Sequence, residues 1–300
     1  MLPLPPHLTP AEAKRDEPLA PWTSVRVGGA AEVLIKPATA GSLVKTLVFA
    51  RAEGIPVTIL GGGANTLVGD LGVPGYTLKL ANDYFAEEVQ GGLVTVNAGS
   101  AIARLVTVMK QNKLVGAEFL AGIPGTLGGA TAMNAGTKNG ECMTAVDSVE
   151  LATHDGIGWV TGLTYRYRHT DLPPGSIVTR IRFALRPAES ADAITESQKK
   201  MEADLGYRKR TQPLSQPSFG SVFTNPPGHC AGALIEAVGL KGHRIGTAQI
   251  STLHANWIIN LGGATAADVT GLMAEAQKRV LEEKGVTLTP EVKRIGSFTS

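Results

Sequence analysis

The sequence is poor in aromatic residues and in charge. Phe, Trp and Tyr make up 5% of the 300 residues and charged residues 18%, so the core must be mainly aliphatic. Hydrophobic residues reach 43%, a composition that excludes an intrinsically disordered chain. The net charge of +2 gives no electrostatic reason to expect nucleic acid or a membrane surface as a partner. Because no apolar run reaches about 18 residues, we expect no membrane insertion.

Cysteine is also scarce, with only Cys142 and Cys230, which lie far apart and outside any CxxC pattern. One disulfide is compatible with this number, but two free thiols in a reducing cytoplasm are favoured. No group of His, Cys, Asp or Glu has zinc-ligand spacing, so no metal site is predicted. The apolar N-terminus is broken by prolines and lacks the basic start of a signal peptide. Residues 1–18 are predicted to form a loosely ordered extension.

Glycine, in contrast, is abundant, with 36 residues that cluster rather than repeat. Residues 116–136 contain six glycines and a single charged residue, Glu118. This stretch is too apolar for an ordinary surface loop and too rich in glycine for an ordinary helix. It indicates either a backbone wall that lies against an extended ligand or a tightly packed buried turn.

A second glycine cluster, residues 61–66, directly follows a β-rich run that ends at Leu60. It is not a P-loop, because no Gly-Lys-Ser/Thr follows, and it lacks the last glycine of Gly-x-Gly-x-x-Gly. Successive backbone N–H groups in such a turn can bind a phosphate or pyrophosphate. A plain β-turn explains the residues equally well.

Periodic patterns predict helices over residues 41–54, 100–112 (with Ser100 as the N-cap), 191–207, 230–238 and 263–284 (with Gly285 as the C-cap). Residues 245–250 and 257–260 are predicted strands, which makes the C-terminal part a compact α+β lobe. Residues 163–170 are also predicted to be a strand, with the arginines of two Tyr-Arg pairs on one face. The basic cluster at residues 208–210 fits a solvated helix end or a partner for phosphates.

One serine, Ser221, stands between a glycine and two apolar residues in a stretch that prolines bracket on both sides. The pattern predicts a turn, a very short extended segment and a second turn that leads into a helix. Ser221 can be an ordinary turn residue, or its hydroxyl can be held at a fixed position in a cleft.

Eight short stretches occur in a characteristic order along the chain, at residues 23–29, 60–65, 122–129, 133–136, 167–168, 220–223, 242–246 and 290–292. Together they resemble the UDP-N-acetylenolpyruvoylglucosamine reductase family, flavoenzymes of peptidoglycan precursor synthesis. The resemblance extends from Trp22 to Gly296, and the short connection after Arg168 is typical of the compact subtype.

The resemblance implies an α+β fold: a two-lobed FAD-binding unit of the vanillyl-alcohol-oxidase (PCMH) type and a C-terminal α+β substrate lobe. The expected boundaries are 19–190 for the FAD-binding unit, with lobes at about 19–81 and 82–190, and 205–288 for the substrate lobe. Residues 289–300 are expected to join the first lobe. FAD is the implied bound cofactor, NADPH the co-substrate and a UDP-sugar the substrate. We expect a cytoplasmic monomer.

In the family reaction, reduced FAD passes a hydride to an enolpyruvyl ether and a proton donor completes the reduction. The resemblance assigns catalytic roles to Ser221 as proton donor, Arg168 as carboxylate partner and Glu291. It assigns cofactor contacts to Gly61, Gly62, Gly63, Ala64, Asn65, Thr66, Gly122, Ile123, Gly125, Thr126, Gly129 and Ala132. The expected substrate contacts are Tyr167, Arg208, Asn225, Gln249 and His254.

Three residues depart from the family pattern. Ala64 and Thr170 stand where serine is usual, and Lys293 stands where arginine is usual. The Ala64 change removes a hydroxyl donor to the phosphates, and lysine does not replace arginine at a bidentate site. The alternative functions are another FAD-dependent oxidoreductase on the same scaffold, such as an oxidase, or a non-catalytic nucleotide-sugar binder.

Overall fold

The computed structural model describes residues 2–299, and within that range helices and strands are mixed along the chain. The α-helices are α1 (Ala40–Ala52), α2 (Ile102–Gln111), α3 (Leu127–Ala132), α4 (Ala191–Thr211), α5 (Ala231–Ala237) and α6 (Ala266–Lys284). Short 3-10 helices cover Ala20–Trp22, Glu118–Leu120 and Cys142–Ala145.

The strands are mostly short. They are β1 (Ala13–Pro18), β2 (Ala30–Ile35), β3 (Val57–Ile59), β4 (Thr66–Val68), β5 (Val73–Leu78), β6 (Glu88–Gln90), β7 (Leu93–Asn97), β8 (Leu114–Val115), β9 (Gly136–Thr137), β10 (Gly140–Glu141), β11 (Val146–Thr153), β12 (Gly156–Thr161), β13 (Tyr165–Arg166), β14 (His169–Thr170), β15 (Ile177–Ala184), β16 (Arg186–Pro187), β17 (Arg244–Ile245), β18 (Ala248–Ile250), β19 (Ile258–Asn260) and β20 (Lys293–Ile295).

The described chain divides into two compact units, each assembled from separate stretches of sequence. Unit 1 contains the residues up to 14, residues 34–62 and residues 76–207. Unit 2 contains residues 15–33, residues 63–75 and the residues from 208 on. The three-part domain boundaries given by the sequence resemblance stay a prediction.

Unit 1 is built on a five-stranded antiparallel sheet with the strand order β12-β11-β15-β7-β6. Apolar and charged residues alternate in the second half of β15, which explains why this sheet is buried on one face. Successive side chains of a strand point to opposite faces of the sheet. Ile181 and Phe183 are fully buried, whereas Arg180 and Arg182 lie on the other face. Helices α2 and α3 contribute aliphatic residues such as Leu105 to the same core cluster.

The carboxyl ends of two strands lie side by side in unit 1, and this arrangement positions the cleft described below. β3 pairs in parallel with β5, in register from Val57 opposite Tyr76 to Ile59 opposite Leu78. The carboxyl ends of parallel strands meet at one edge of a sheet, which is where ligands bind in such sheets.

Unit 2 packs α5 and α6 with the antiparallel sheet β17-β18-β19. Helix α6 begins with a capping box, in which Thr265 and Asp268 each accept a hydrogen bond from the other's backbone N–H. It ends at Gly285, which adopts a left-handed conformation with φ of 68°. The predicted C-cap at Gly285 is confirmed, although the helix begins at Ala266 rather than at residue 263. β20 pairs in parallel with β4, so the C-terminal part of the chain returns to an early segment.

The predictions for residues 245–250 and for Ser100 are wrong. Residues 245–250 do not form one strand, because Gly246, with φ of 54°, turns the chain between β17 and β18. Ser100 does not cap α2: the N-cap is Ala101, and the Ser100 hydroxyl donates to the carbonyl of Asn82 instead. A tertiary hydrogen bond thus takes the place of the cap that local sequence favours.

The N-terminal residues are more ordered than the predicted loose extension. Residues 13–18 form β1, and the Tyr76 hydroxyl donates to the Pro3 carbonyl at 2.6 Å. Glu12 accepts hydrogen bonds from the Ala38 backbone N–H at 2.7 Å and from the backbone and hydroxyl of Thr9. Hydrogen bonds from Thr9, Ala38 and Ser42 lower the pKa of Glu12 from 4.5 to about 2. Met1 lies outside the described residues.

We expect Glu12→Gln to reduce the acid sensitivity of the fold. Because the pKa of Glu12 is lower in the folded chain, its stabilising effect is complete above about pH 4.5 and is lost as the pH falls towards about 2. The stability difference between wild type and variant should therefore be largest near neutral pH and shrink in acid. Urea unfolding at several pH values measures it, with Glu53→Gln as the control for loss of an exposed carboxylate. A difference that does not change with pH would contradict this account.

Candidate functional site

Unit 1 contains a cleft of about 570 Å³ that is partly open to solvent. It lies at the carboxyl ends of the parallel strands β3 and β5, where Gly61 and Lys79 emerge. Among the lining residues only Lys79 carries a charge, and most of the others are small or aliphatic. The lining residues are Ile59, Leu60, Gly61, Lys79, Leu80, Ala98, Gly99, Thr126, Gly128, Gly129, Ala132, Leu172, Ser176, Ile177 and Val178.

Close backbone packing forms one wall of the cleft. The Gly128 N–H donates to the Ala98 carbonyl at 2.8 Å, and a Cβ on Gly128 would lie 2.8 Å from the Ala98 Cβ. A Cβ on Gly61 would lie 2.9 Å from the hydroxyl oxygen of Thr126, which caps α3. These positions accept only glycine without rearrangement. This part of the glycine-rich stretch is therefore both tightly packed and exposed to a cleft.

The glycine loop of residues 61–66 continues into unit 2, which contains it from Gly63 on. Gly63 has φ of 64°, and a Cβ there would lie 2.2 Å from the carbonyl oxygen of Trp22. The Gly63 carbonyl accepts hydrogen bonds from both the backbone N–H and the hydroxyl of Ser24. The Asn65 carbonyl accepts from the Lys293 N–H, and the Asn65 amide donates to the Glu291 carbonyl. Three of the sequence motifs are thus joined by hydrogen bonds within unit 2.

The segments that carry Ser221 and Glu291 are joined in unit 2 through the residue after the serine. The Val222 carbonyl accepts a hydrogen bond from the Glu291 N–H at 2.8 Å. The Val222 N–H donates to the Asn256 carbonyl, and the Asn256 side chain bonds both the N–H and the carbonyl of Phe223. The backbone that follows Ser221 is therefore hydrogen-bonded both to Glu291 and to Asn256.

Asn256 is a structural residue of this site that sequence reasoning missed. Its side chain is 3% exposed, and its two bonds to Phe223 measure 3.0 and 2.8 Å. A buried amide must find partners for its donor and its acceptor, and here they are the backbone groups beside Ser221. The signal in the sequence was an amide residue that directly precedes a predicted strand.

Arg168 lies in unit 1, where the structure corrects the predicted strand over residues 163–170. β13 and β14 form a tight hairpin, and Arg168 sits in its turn with φ of 58°. The two Tyr-Arg pairs therefore do not share one strand face. The Arg168 guanidinium donates to the Gly136 carbonyl at 2.9 Å and lies 4.8 Å from the ring centroid of Tyr167. A left-handed conformation at a non-glycine residue is costly and is typical of functional positions.

Thr170 keeps the hydroxyl that serine supplies in the family pattern. It is buried in the same hairpin, and its hydroxyl donates to the Thr131 carbonyl at 2.6 Å. The threonine at this position therefore keeps a hydroxyl that can donate a hydrogen bond, as a serine would.

The expected substrate residues differ in how their side chains are used. Gln249 donates from its amide to the Gly242 carbonyl, and Asn225 accepts from the Ala231 N–H at the start of α5. Both of these contacts support the backbone. His254 is half-buried, and burial lowers the pKa of its imidazole. The remaining predicted residues are distributed over both units: Gly62, Gly122, Ile123, Gly125 and Tyr167 in unit 1, and Ala64, Thr66 and Arg208 in unit 2.

Cys142 and Cys230 are both free thiols. Over residues 2–299, no group of three or more His, Cys, Asp or Glu side chains is placed to hold a metal ion. In the same part of the chain, no helix combines the length and the apolar character needed to cross a membrane.

Comparison with known proteins first defines the class. The family model of an FAD-binding domain matches residues 31–161, which include most of the cleft-lining residues of unit 1. A second family model, the C-terminal domain of UDP-N-acetylenolpyruvoylglucosamine reductase, matches residues 212–295. The chain is therefore a flavoprotein with an FAD-binding part and a C-terminal lobe, and the α+β fold predicted from the sequence is confirmed.

Relatives along the whole chain then define the family. A UDP-N-acetylenolpyruvoylglucosamine reductase of Myxococcus xanthus is 62% identical over 96% of this chain and 93% of its own length. One from Anaeromyxobacter sp. strain Fw109-5 is 52% identical over 96% of this chain and 90% of its own. The crystal structure of the enzyme (MurB) from Thermus caldophilus matches with a TM-score of 0.80 and 38% identity, over 95% of this chain and 98% of that one.

The chain belongs to the UDP-N-acetylenolpyruvoylglucosamine reductase family. This confirms the family resemblance given by the sequence motifs, and with it the prediction of an FAD-containing reductase.

Gly63→Ala is expected to destabilise the fold by about 3 kcal/mol or more, because the new Cβ meets the Trp22 carbonyl in a conformation that also disfavours a side chain. Gly54→Ala is the matched control: Gly54 has the same φ of 64°, but a Cβ there would meet no atom within 4 Å. It should cost only about 1 kcal/mol. Chemical denaturation of both variants measures the difference, and equal losses would show that the contact with Trp22 does not matter.

Proposed function

We propose that this chain reduces the enolpyruvyl ether of UDP-N-acetylglucosamine enolpyruvate to UDP-N-acetylmuramate, with NADPH as the electron donor and Ser221 as the proton donor. The observation that carries the proposal is the joining of the Ser221 and Glu291 segments through the Val222 carbonyl. These segments are far apart in sequence, and both occur in a chain of this reductase family.

The residues of the unit 1 cleft fit the nucleotide part of FAD. Its wall of glycines lets a ligand approach the main chain, and the cleft opens at the ends of parallel strands. The cofactor contacts proposed there are Gly61, Thr126, Gly129 and Ala132. FAD bound there and reduced by NADPH would supply the hydride for the terminal carbon of the enolpyruvyl group.

Contacts of the neighbouring backbone support the proposed role of Ser221 as a positioned proton donor. An unaided serine is a weak acid, so its contribution depends on being held at the carbon that must be protonated. Hydrogen bonds of Val222 and Phe223 with Asn256 fix the backbone beside it. We assign Glu291 to stabilisation of the charged intermediate or to the proton path, because its segment adjoins that of the serine.

Arg168 is proposed to bind the substrate carboxylate as negative charge develops next to it. A guanidinium stays charged and matches the two oxygens of a carboxylate in its fork geometry. Its bond to Gly136 and its contact with the Tyr167 ring limit the conformations of the side chain. Placement in a hairpin turn, rather than along a strand, fixes the backbone from which it extends.

We further propose that the chain acts in the cytoplasm as a monomer. UDP-sugars and NADPH are metabolites of that compartment, and two free thiols fit its reducing conditions. Each unit has a buried core cluster of its own.

Ser221→Ala should leave flavin reduction by NADPH unchanged and slow reoxidation by the enolpyruvyl substrate by about 10²- to 10⁴-fold, because only the second half-reaction needs the proton. Stopped-flow absorbance of the flavin measures the two half-reactions separately. Ser215→Ala, at an exposed position shortly before it in the sequence, is the control. Equal slowing of both half-reactions would refute the proton-donor role.

Two observations on the wild-type protein test the reaction as a whole. Oxygen-consuming turnover without the enolpyruvyl substrate would favour an oxidase. A colourless protein that takes up no FAD would refute the proposed flavoenzyme function.

Arg168→Lys should slow the same substrate half-reaction by about 10²-fold, since a lysine cannot hold a carboxylate with two parallel hydrogen bonds. Arg166→Lys is the matched control, because Arg166 lies in the same hairpin but pairs with the exposed Asp171. That change should alter the rate by less than about threefold. If both substitutions have the same effect, the hairpin as a whole and not the Arg168 guanidinium is responsible.

A further inference from the structure

Lys79 is the charged residue in the wall of the unit 1 cleft, and none of the family motifs includes it. It directly follows β5, and its ammonium donates a hydrogen bond to the Gly61 carbonyl at 2.7 Å. Gly61 lies two residues after the last residue of the neighbouring strand β3. The contact therefore fixes the ammonium at the edge of the sheet where the cleft opens.

The surroundings of Lys79 disfavour a positive charge in the ligand-free protein. The side chain is half-buried among aliphatic residues and glycines of the cleft. Burial lowers the pKa of its ammonium, and the positive charge of Lys36 lowers it further. Partial burial of an ammonium close to a second cation has an energetic cost, which an anionic ligand in the cleft would offset.

We propose that Lys79 is a cofactor-binding residue whose ammonium neutralises phosphate charge of FAD bound in this cleft. The inference rests on the proposed use of the cleft for FAD and adds the residue that recognises the charged part of the cofactor. Uncharged glycine and aliphatic walls can accept any flat or extended ligand, whereas a fixed cation discriminates for a phosphorylated one. Affinity for FAD then depends on one side chain that is neutralised at high pH.

A purely structural role for Lys79 makes different predictions. In that case its contribution would be the hydrogen bond to Gly61, which shapes the end of β3. A glutamine at this position keeps a side-chain donor but removes the charge, and an arginine keeps both. Comparing Lys79→Gln with Lys79→Arg therefore separates the charge from the hydrogen bond.

The experiment measures release of FAD from the purified holoprotein on dilution, by the recovery of flavin fluorescence. Lys79→Gln should raise the dissociation constant about tenfold or more, whereas Lys79→Arg should stay within about threefold of wild type. Wild-type affinity should also weaken as salt is added and as the pH rises through the pKa of the lysine, because the ammonium is then screened or neutralised. The glutamine variant should lose most of both dependences.

Thermal unfolding of the flavin-free forms controls for structural damage. Lys79→Gln with unchanged FAD affinity, or with a loss of affinity that Lys79→Arg shares, would overturn the proposal. Weaker binding in Lys79→Gln that keeps the wild-type dependence on salt and pH would also overturn it, because the charge would then not be the cause. A wild-type protein that holds no FAD would instead refute the proposed function.

Discussion

Main-chain contact at Gly63 is the constraint on which the arrangement of unit 2 depends. The Trp22 carbonyl occupies the space of a side chain there, and Ser24 bonds the Gly63 carbonyl through two groups. From this point hydrogen bonds continue through Asn65 to the Glu291 segment and through the Val222 carbonyl to Ser221. The glycine loop therefore does more than leave room for a ligand, since it connects the segments that carry the proposed proton donor and its acidic neighbour.

Unit 1 contains the proposed cofactor cleft. Such a cleft must let the cofactor come close to the main chain, and it needs a group that recognises the charge of the cofactor. Glycines at the ends of β3 and near α3 provide the first, with Gly128 packed directly on Ala98. Lys79 is the group proposed to recognise charge, and its partly buried ammonium has an energetic cost in the ligand-free protein. Costs of this kind are expected at binding sites, where the ligand removes them. The Arg168 turn follows the same principle, since a left-handed residue persists only where surrounding contacts hold it.

The elements that sequence analysis predicted well are those fixed by local chemistry. Helix α6 is the example, because it carries its own capping box and terminal glycine and so follows from nearby residues. The family also follows from sequence, because its motifs are contiguous and keep their order along the chain. Ser100 shows the limit of such reasoning, since a hydroxyl suited to capping α2 bonds Asn82 instead.

The sequence by itself determined the cofactor class and the family, because these depend on short motifs with fixed spacing. Tertiary structure alone decided that Arg168 lies in a hairpin turn, that Asn256 holds the backbone beside Ser221, and that Lys79 faces the cleft. Each of these depends on contacts between residues distant in sequence. Neither periodicity nor motif spacing contains that information, since the partner of a buried polar group is chosen by how the chain packs.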